Sequence, residues 1–442
     1  TTTSIASLAV TDAWGNTQDD FLSTTLVIYG VTGADGITTF TLKQDQTTGL
    51  KTELTAALDS SSSTKSTLPV VFTVLTSPDS PKAKFWGHMA ETATGDDGLI
   101  YRRPLLRDEN SATTSIGTLV EEGEAWSTFP SGLANDTSIN GCGAEYVPTD
   151  NELRAIYAHQ GSSALHDAIG WPVSRFYISN TVADTFTQTF TYDVVSLKTG
   201  DETQMPSSGG ALLSCRTTPV AVASQIIVEA NDTAQFVKVD DTLSALKVKK
   251  GEDAVIRVVT KNAQGNGVPN VPFILRREGS KNRQNAEMIN KSITVINAAG
   301  ASARMNSSSS LLYGVTGADG TTSFTVKQDD SMGLVTNMYA QLYQLTIESN
   351  KLPVMFTVIT SPDTPLASYW GHMPETFTTR SGIAFKRPLL TAEHPAGQST
   401  MANNESWLSL NTAAKNDVSK SDCGEPYQPL LSEFQELYSE HP

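Results

Sequence analysis

Cysteines and long apolar runs are both scarce in this chain. Its 442 residues include three cysteines, Cys142, Cys215 and Cys423, and no Cys-x-x-Cys pair, which argues against a zinc knuckle. No apolar run reaches the roughly 18 residues that a membrane-spanning helix needs. The opening residues, TTTSIASLAV, have no basic stretch before an apolar one. We therefore expect no signal peptide here, and an export signal would lie outside the chain.

Positive charge is the second shortage. The sequence has 31 Lys and Arg against 47 Asp and Glu, a formal net charge of −16. Such an acidic chain repels DNA and anionic membranes, so we expect neither nucleic-acid binding nor direct membrane insertion. The hydrophobic share of 38% and the mean hydropathy of −0.21 are typical of a folded globular protein. The length predicts two to four domains.

Sequence signatures of catalysis and of cofactor binding are missing as well. There is no G-x-S-x-G nucleophile elbow and no phosphate-binding P-loop. Two GADG stretches each supply a single carboxylate, Asp35 and Asp319, without the glutamate that a calcium loop needs. We interpret them as tight turns, and we predict no catalytic residue, no metal ligand and no cofactor.

Two histidines recur in a shared WGHM motif, His88 and His372. A metal site would need two or three further ligands nearby, and no other histidine has suitable spacing. We expect the neighbouring Trp86 and Trp370 to pack into the base of the segment that follows. The histidines would then form hydrogen bonds at the junction between segments.

What the chain does have is an internal repeat. The stretch GVTGADGITTFTLKQD at 30–45 returns as GVTGADGTTSFTVKQD at 314–329. Other matches at the same offset of 284 are LPVVFTVLTSPDSP (68–81) with LPVMFTVITSPDTP (352–365), FWGHM (85–89) with YWGHM (369–373), and RRPLL (102–106) with KRPLL (386–390). At an offset of 281, EAW (124–126) matches ESW (405–407) and Cys142 matches Cys423. Two kinds of segment therefore alternate, which is typical of a modular array.

The first kind of segment, best seen at about 220–360, predicts a β-sandwich. Alternating apolar runs with turn signals between them predict strands at 255–260, 271–277, 321–328 and 352–359. Asp35-Gly36 and Asp319-Gly320 are tight-turn signals that lead into a strand. The pair of motifs VTKNAQGNGVPNVPF (259–273) and TGADGTTSFTV (316–326) resembles the immunoglobulin-like repeats of the intimin/invasin family of bacterial adhesins.

The second kind of segment, best seen at about 77–218, contains a helix that begins at 148–153, while residues 90–139 show no pattern that predicts an element. Thr149 and Glu152 have the spacing of a capping box, and Leu153, Ile156 and Tyr157 form one apolar face. Next come GWPVSRFYISNT (170–181), an alternating run at 185–197 and ALLSCR (211–216). This helix, tryptophan-containing bend and final cysteine strand resemble the C-type-lectin-like domains that accompany those repeats in intimin and invasin.

The resemblance implies a domain order and a disulfide. We expect a partial immunoglobulin-like domain at 1–76, a lectin-like adhesion domain at 77–218, an immunoglobulin-like domain at 219–360 and a partial second lectin-like domain at 361–442. Cys142 and Cys215 would be bonded across 73 residues, which contributes about 4 kcal/mol in the chain-entropy model and implies an oxidising compartment. A partner for Cys423 would lie beyond Pro442.

The resemblance also implies a function. The chain would be a surface-exposed passenger region of a non-catalytic bacterial adhesin with an outer-membrane anchor elsewhere, and it would bind a host-cell or matrix receptor, protein or glycan. The alternatives are a purely structural stalk and a carbohydrate-binding module. The candidate binding residues are Trp171, Arg175, Phe176 and Tyr177, and the rings of Trp171, Phe176 and Tyr177 could stack on a sugar ring or a receptor side chain. The alternative, which we favour, is that Trp171 and Tyr177 are core residues of the lectin-like fold.

Overall fold

The computed structural model describes residues 8–18, 27–44, 47–58, 61–112, 116–133, 142–183, 186–239, 243–289, 291–306, 311–328, 330–343, 345–394, 397–412, 417–421, 423 and 427–440. The chain divides into two compact units, Thr1–Ala183 with Phe190–Ala221, and Asp184–Thr189 with Val222–Pro442. Strands account for 44% of the chain and helices for 10%, so the prediction of a mainly β protein is confirmed.

The first unit begins with a small immunoglobulin-like segment. Strands β1, β2 and β3 form one antiparallel sheet, and the long strands β4 and β5 form a hairpin that pairs Leu50 with Phe72. Much of the apolar surface here is exposed, including Leu58, Leu68 and Val71. The strands are β1 (Leu8–Thr11), β2 (Thr17–Gln18), β3 (Thr41–Gln44), β4 (Leu50–Leu58) and β5 (Ser61–Phe72).

An α+β domain follows in the same unit, built from three small sheets around two helices. The sheets have the orders β14-β7-β6, β13-β9-β8 and β10-β11-β12. The strands are β6 (Thr92–Thr94), β7 (Ile100–Arg102), β8 (Gly117–Glu121), β9 (Glu124–Pro130), β10 (Tyr177–Ala183), β11 (Thr191–Val195), β12 (Glu202–Pro206), β13 (Gly210–Ala211) and β14 (Cys215–Arg216), and the helices are α1 (Asp150–His159) and α2 (Leu165–Ile169). Short 3-10 turns lie at Arg107–Glu109, Ser131–Leu133 and Ala144–Tyr146.

Helix α1 forms where the capping-box spacing predicts it. The Thr149 hydroxyl accepts a hydrogen bond from the Glu152 N–H at 3.2 Å, and the Glu152 carboxylate accepts one from the Thr149 N–H at 2.7 Å. Leu153 and Ile156 are fully buried, and they join Trp126 and the residues around it in one apolar core. The predicted helix start and apolar face are therefore confirmed.

The second unit contains the larger immunoglobulin-like segment, a sandwich of two sheets. One sheet has the order β15-β18-β23-β20-β21, and the other β16-β17-β25-β24-β19-β22. Their strands are β15 (Gln225–Ala230), β16 (Phe236–Lys238), β17 (Ser244–Lys249), β18 (Ala254–Lys261), β19 (Pro272–Lys281), β20 (Ile293–Asn297), β21 (Ser302–Met305), β22 (Leu311–Val315), β23 (Thr321–Lys327), β24 (Leu334–Leu342) and β25 (Leu352–Pro362), with a 3-10 turn at Thr233–Gln235. The four strands expected from sequence alternation correspond to β18, β19, β23 and β25.

Each sheet buries alternate side chains, as the period of two requires. In β24 every second residue is buried, and the buried set meets the inner face of the other sheet in one core. Phe324 lies at its centre, where Phe273 packs edge-on at 6.0 Å between ring centroids and Phe186 stacks at 6.2 Å. Phe186 thus belongs to the core of the second unit.

The GADG stretches form turns. Gly320 has a φ of +76°, its N–H bonds to the Gly317 carbonyl at 2.9 Å, and the Asp319 carboxylate accepts the Thr321 N–H at 2.9 Å. A Cβ at Gly320 would lie 2.6 Å from the Val268 nitrogen. Both the positive φ and the close approach of the backbone require glycine there.

After β25 the second unit continues with a smaller α+β region. Its elements are β26 (Gly371–Met373), β27 (Thr376–Thr378), β28 (Ala384–Lys386), β29 (Gln398–Ala402), β30 (Glu405–Ser409), α3 (Val418–Ser421) and α4 (Leu431–Glu440). Strand β26 runs parallel to β25, while β27 with β28 and β29 with β30 form hairpins. Across the residues that the structure describes, every helix is too short or too polar to traverse a bilayer.

Candidate functional site

The four predicted binding residues lie between the end of α2 and the first residue of β10, which is Tyr177, but two of them are buried. Trp171 and Tyr177 are fully buried. The Trp171 indole N–H donates to the Ala90 carbonyl at 2.7 Å, and the Tyr177 hydroxyl donates to the Pro172 carbonyl at 2.7 Å. A buried ring cannot stack on a ligand, so the prediction of a binding role for these two rings is wrong. They are core residues that hold the ends of the intervening turn.

The turn between the two rings presents the other two candidates. The Glu121 carboxylate anchors the turn, because it accepts hydrogen bonds from the Val173 N–H at 2.9 Å, the Ser174 N–H at 3.1 Å and the Ser174 hydroxyl at 2.6 Å. Arg175 is exposed and Phe176 is partly buried. Within the described residues the Arg175 guanidinium has no hydrogen-bond or ion-pair partner. We name residues 173–176 the Arg175 turn.

The carboxylate beneath the turn also affects the buried tyrosine. Burial, and after it the negative charge of Glu121, raises the pKa of Tyr177 well above its ordinary value. The phenol therefore stays neutral and keeps donating its hydrogen bond. Glu121 is the last residue of β8, and the next residue in the hairpin, Glu122, has a φ of +48°. This tight turn determines the position of the Glu121 carboxylate.

A crevice beside the Arg175 turn is too small for a typical ligand. Glu121, Glu122, His166 and Pro172 are among the residues that line it, and it has essentially no enclosed volume even for a water molecule. Pockets for drug-sized molecules usually have about 300 Å³ or more. This crevice therefore does not enclose a small substrate.

The disulfide implied by the family resemblance is present in the structure. Cys142 and Cys215 are bonded with a Cα–Cα distance of 6.1 Å, and Cys215 lies opposite Arg102 in the pairing of β14 with β7. The next residue, Arg216, is 2% exposed. Its guanidinium donates to the Val147 carbonyl at 2.6 Å and lies 3.3 Å from the Glu152 carboxylate. The disulfide and this ion pair fix β14 to the start of α1.

Sequence reasoning missed the anchoring role of Glu121 and of a second acidic residue, Glu124. Glu124 is 2% exposed, and its carboxylate accepts hydrogen bonds from the Ser77 hydroxyl at 2.7 Å, the Lys84 N–H at 3.0 Å and the Phe85 N–H at 2.9 Å. The one available signal was the recurrence of this glutamate in the EAW and ESW motifs. These motifs show that a glutamate recurs at this position, but they do not show that it is buried.

The WGHM motifs lie at the junctions between segments, and their histidines form hydrogen bonds there as expected. His88 Nδ1 is 2.9 Å from the Thr73 hydroxyl, and His372 Nδ1 is 2.9 Å from the Thr357 hydroxyl. The expectation that Trp86 is packed into the following segment is wrong, since it is 49% exposed. Throughout the described ranges, no group of three or more His, Cys, Asp or Glu side chains could hold a metal ion.

Two family models match the chain in alternation. The model of an adhesion domain matches residues 78–216 and 362–442. The model named Bacterial Immunoglobulin-like 21 matches residues 7–75 and 251–359, and together the two models account for most of the chain. The chain belongs to the intimin/invasin-like adhesins. The alternation of immunoglobulin-like and adhesion domains in this adhesin is thereby confirmed, while the domain boundaries after residues 76, 218 and 360 stay predictions.

Solved structures of other surface proteins also resemble the adhesin, but with low sequence identities and low TM-scores. The Yersinia pseudotuberculosis adhesin InvE is 24% identical, with a TM-score of 0.40, over 61% of this chain and 72% of that one. The D00-D0 domain of intimin is 17% identical, with a TM-score of 0.16, over 38% of this chain and 62% of that one. No curated protein sequence matches the adhesin significantly. The identification comes from the family models.

The same ion-pair cluster is present in both adhesion domains. Arg103 is 7% exposed and pairs with Glu91 at 3.0 Å and with Glu109 at 2.7 Å. Arg387 pairs in the same way with Glu375 and Glu393. Because the cluster is present in both adhesion domains and its arginine is buried, it is part of their common framework rather than a site specific to one of them.

Proposed function

We propose that this passenger region attaches the bacterium to a protein receptor on the host surface through the Arg175 turn of the first adhesion domain. The observation that supports this most is the exposed Arg175 guanidinium, which has no partner among the described residues and lies on a turn that Glu121 holds with three hydrogen bonds. Arginine is enriched among the residues that dominate binding energy at protein interfaces. A rigid turn also loses little conformational entropy when it binds.

A protein receptor is a better fit to this surface than an enclosed small molecule or glycan. The crevice beside the turn is small, and two of the three rings that could have stacked on a sugar, Trp171 and Tyr177, are buried. The guanidinium would pair with a receptor carboxylate, since arginine recognises that group with two parallel hydrogen bonds. An outer-membrane anchor elsewhere in the protein would hold the passenger on the bacterial surface, and we propose that the passenger has no catalytic activity.

Cell binding tests the proposal. The whole chain is applied to epithelial cells and to a panel of matrix proteins, alongside Arg175→Ala and the charge-matched control Lys198→Ala, whose side chain is exposed in the same domain. We expect Arg175→Ala to bind at least tenfold more weakly and Lys198→Ala to bind as the parent does. Urea unfolding of all three should coincide, which separates binding from folding.

Two outcomes would overturn the proposal. Failure of the parent chain to bind any cell or matrix protein would favour the alternative in which both domain types form a stalk, and the duplication of the unit supports that alternative. Binding that disappears after enzymatic removal of host glycans would show that the receptor group is a glycan. A screen for glycan hydrolysis tests the absence of catalysis.

A further inference from the structure

One asparagine–glycine pair is exposed in the larger immunoglobulin-like segment. Asn266 and Gly267 follow β18 in the turn that leads to β19, and both residues are exposed. The Asn266 N–H donates to the Asn262 carboxamide oxygen at 2.9 Å, and its carbonyl accepts the Asn262 N–H at 2.9 Å. Among the described residues, the Asn266 side-chain amide forms no hydrogen bond. An unbonded amide is therefore attached to a backbone that is held in place.

The glycine nitrogen beside this amide is also unbonded. Gly267 forms an isolated antiparallel bridge with Lys261. The bond from the Val268 N–H to the Thr260 carbonyl, at 3.0 Å, flanks this bridge on one side, and the bond from the Asn262 N–H flanks it on the other. The bridge is therefore a non-hydrogen-bonded pair, in which the Gly267 N–H points away from β18. Within the part of the chain that the structure describes, this N–H donates to no acceptor.

Three aspartate–glycine pairs in the chain differ from this pair in the hydrogen bond of the glycine. In each of them the glycine N–H donates to the carbonyl three residues earlier, from Gly36 to Gly33 at 3.0 Å, from Gly98 to Gly95 at 2.9 Å and from Gly320 to Gly317 at 2.9 Å. A second asparagine–glycine pair, Asn140-Gly141, lies outside the described residues. Of the four pairs that the structure describes, Asn266-Gly267 alone has a free glycine nitrogen.

The hydrogen bond of the glycine controls whether its nitrogen can react. A backbone nitrogen attacks the side-chain carbonyl of the preceding residue only after it has lost its proton. A hydrogen bond donated by the N–H stabilises the protonated form and therefore opposes that loss. Glycine also has no Cβ that would crowd the approach of the two groups. The free nitrogen of Gly267 and the exposed amide of Asn266 meet both conditions.

We propose that Asn266 is a site of spontaneous deamidation, a covalent modification whose one co-reactant is water. The Gly267 nitrogen attacks Asn266 Cγ and forms a C–N bond. The bond from Cγ to Nδ2 breaks, and ammonia leaves with the proton that the glycine lost. Water then hydrolyses the cyclic imide. Cleavage at Cγ gives aspartate, cleavage at the backbone carbonyl gives isoaspartate, and no electrons are transferred in either case.

The modification changes the place where the two sequence motifs of this segment meet. Gly267 lies so close to the Asp319 turn that a Cβ on Gly267 would be 2.4 Å from the Asp319 carbonyl oxygen. Both products add a negative charge beside this turn. Isoaspartate also adds one carbon atom to the main chain between Asn266 and Gly267, next to the hydrogen bonds that hold Asn262.

The Asp319→Asn chain tests the proposal, because it has two asparagine–glycine pairs in one domain that differ in the hydrogen bond of the glycine. The introduced side chain keeps an oxygen that can accept the Thr321 N–H. The folded chain is incubated for several weeks at neutral pH and physiological temperature, and peptide mapping by mass spectrometry follows both sites. We expect Asn266 to convert roughly tenfold faster or more, since the fold protects amides that are hydrogen-bonded.

Guanidinium chloride supplies the control, and Asn266→Gln confirms the site. In the unfolded chain neither glycine N–H is held in a turn, so the two pairs should convert at similar rates. Asn266→Gln should remove most of the product from the tryptic peptide that spans residues 262–276. Equal rates at the two sites in the folded chain would overturn the proposal. Conversion of Asn266 in the unfolded chain but not in the folded one would also overturn it, because the fold would then protect this pair as well.

Discussion

The hydroxyl of Ser77 donates a 2.7 Å hydrogen bond to the carboxylate of Glu124, and both side chains are buried. The second half of the chain repeats this contact at 2.7 Å between Ser361 and Glu405. In both halves the carboxylate also accepts backbone N–H groups, and in the second they belong to Ser368 and Tyr369. A buried carboxylate that is fully hydrogen-bonded is stabilising only while its donors are in place.

We expect Glu124→Gln to lower the free energy of unfolding by about 1–3 kcal/mol. The substitution replaces one acceptor oxygen of the carboxylate with an N–H₂ donor, which cannot accept the hydrogen bonds that the surrounding donors offer. Urea denaturation of the first unit, followed by tryptophan fluorescence, measures this. The matched control is Asp201→Asn, an exposed side chain whose neutralisation should change stability by less than about 0.5 kcal/mol. Equal effects of the two substitutions would contradict the role given to Glu124.

The disulfide should contribute strongly to the stability of the first adhesion domain. Cys142 and Cys215 are 73 residues apart, and closing a loop of that length is worth about 4 kcal/mol in the chain-entropy model. We expect Cys142→Ser to lower the urea midpoint of the first unit markedly, and dithiothreitol to have the same effect on the parent chain. Cys423→Ser serves as the control, since the loss of an exposed free thiol should leave the midpoint unchanged.

Arg216 should be far more important for folding than Arg154, an arginine of α1 itself. Removal of Arg216 leaves the Glu152 charge and the Val147 carbonyl partly buried without their partner, which costs about 3 kcal/mol or more. Arg154 is 44% exposed and bridges Asp150, so its loss should cost less than about 1 kcal/mol. We expect Arg216→Met to destabilise the first unit and Arg154→Met to leave it nearly unchanged, as measured by thermal unfolding.

The stability of the second unit should fall on mild acidification. Burial lowers the pKa of His372, and the nearby Lys249 and Lys247 lower it further. An unfolded histidine titrates near pH 6.5, so below that pH the unfolded chain binds a proton that the folded chain does not. Stability is therefore complete above about pH 6.5 and declines until the pH reaches the lower folded pKa.

Urea unfolding between pH 7.5 and 5.5 measures this decline, and His372→Gln provides the comparison. The glutamine can keep a hydrogen bond with Thr357 but carries no titrating group. We expect the variant to lose a smaller fraction of its stability over that interval than the parent. A parent chain whose stability rises on acidification would contradict the assigned direction.

The sequence alone predicted those parts of the fold that depend on local patterns. Alternation predicted β18, β19, β23 and β25, because a half-buried strand must bury every second residue. The site was harder to predict. Trp171 and Tyr177 are aromatic whether they face a core or a ligand, and only the three-dimensional structure shows that both are buried. The anchor Glu121 is 52 residues from Val173, so no local pattern could have joined them.

The start of α1 offers a test in which the chain supplies its own comparison. Thr149 caps α1 with its hydroxyl, whereas the matching position before α4 is Leu430, which keeps the reciprocal bond to Glu433 but has no hydroxyl. Thr149→Leu should therefore remove one of the two capping hydrogen bonds and cost about 1 kcal/mol. Thr149→Ser retains the oxygen and should cost less. Thermal unfolding of the first unit separates the two variants, and an equal loss in both would mean that the Thr149 methyl group, not its hydroxyl, stabilises the helix start.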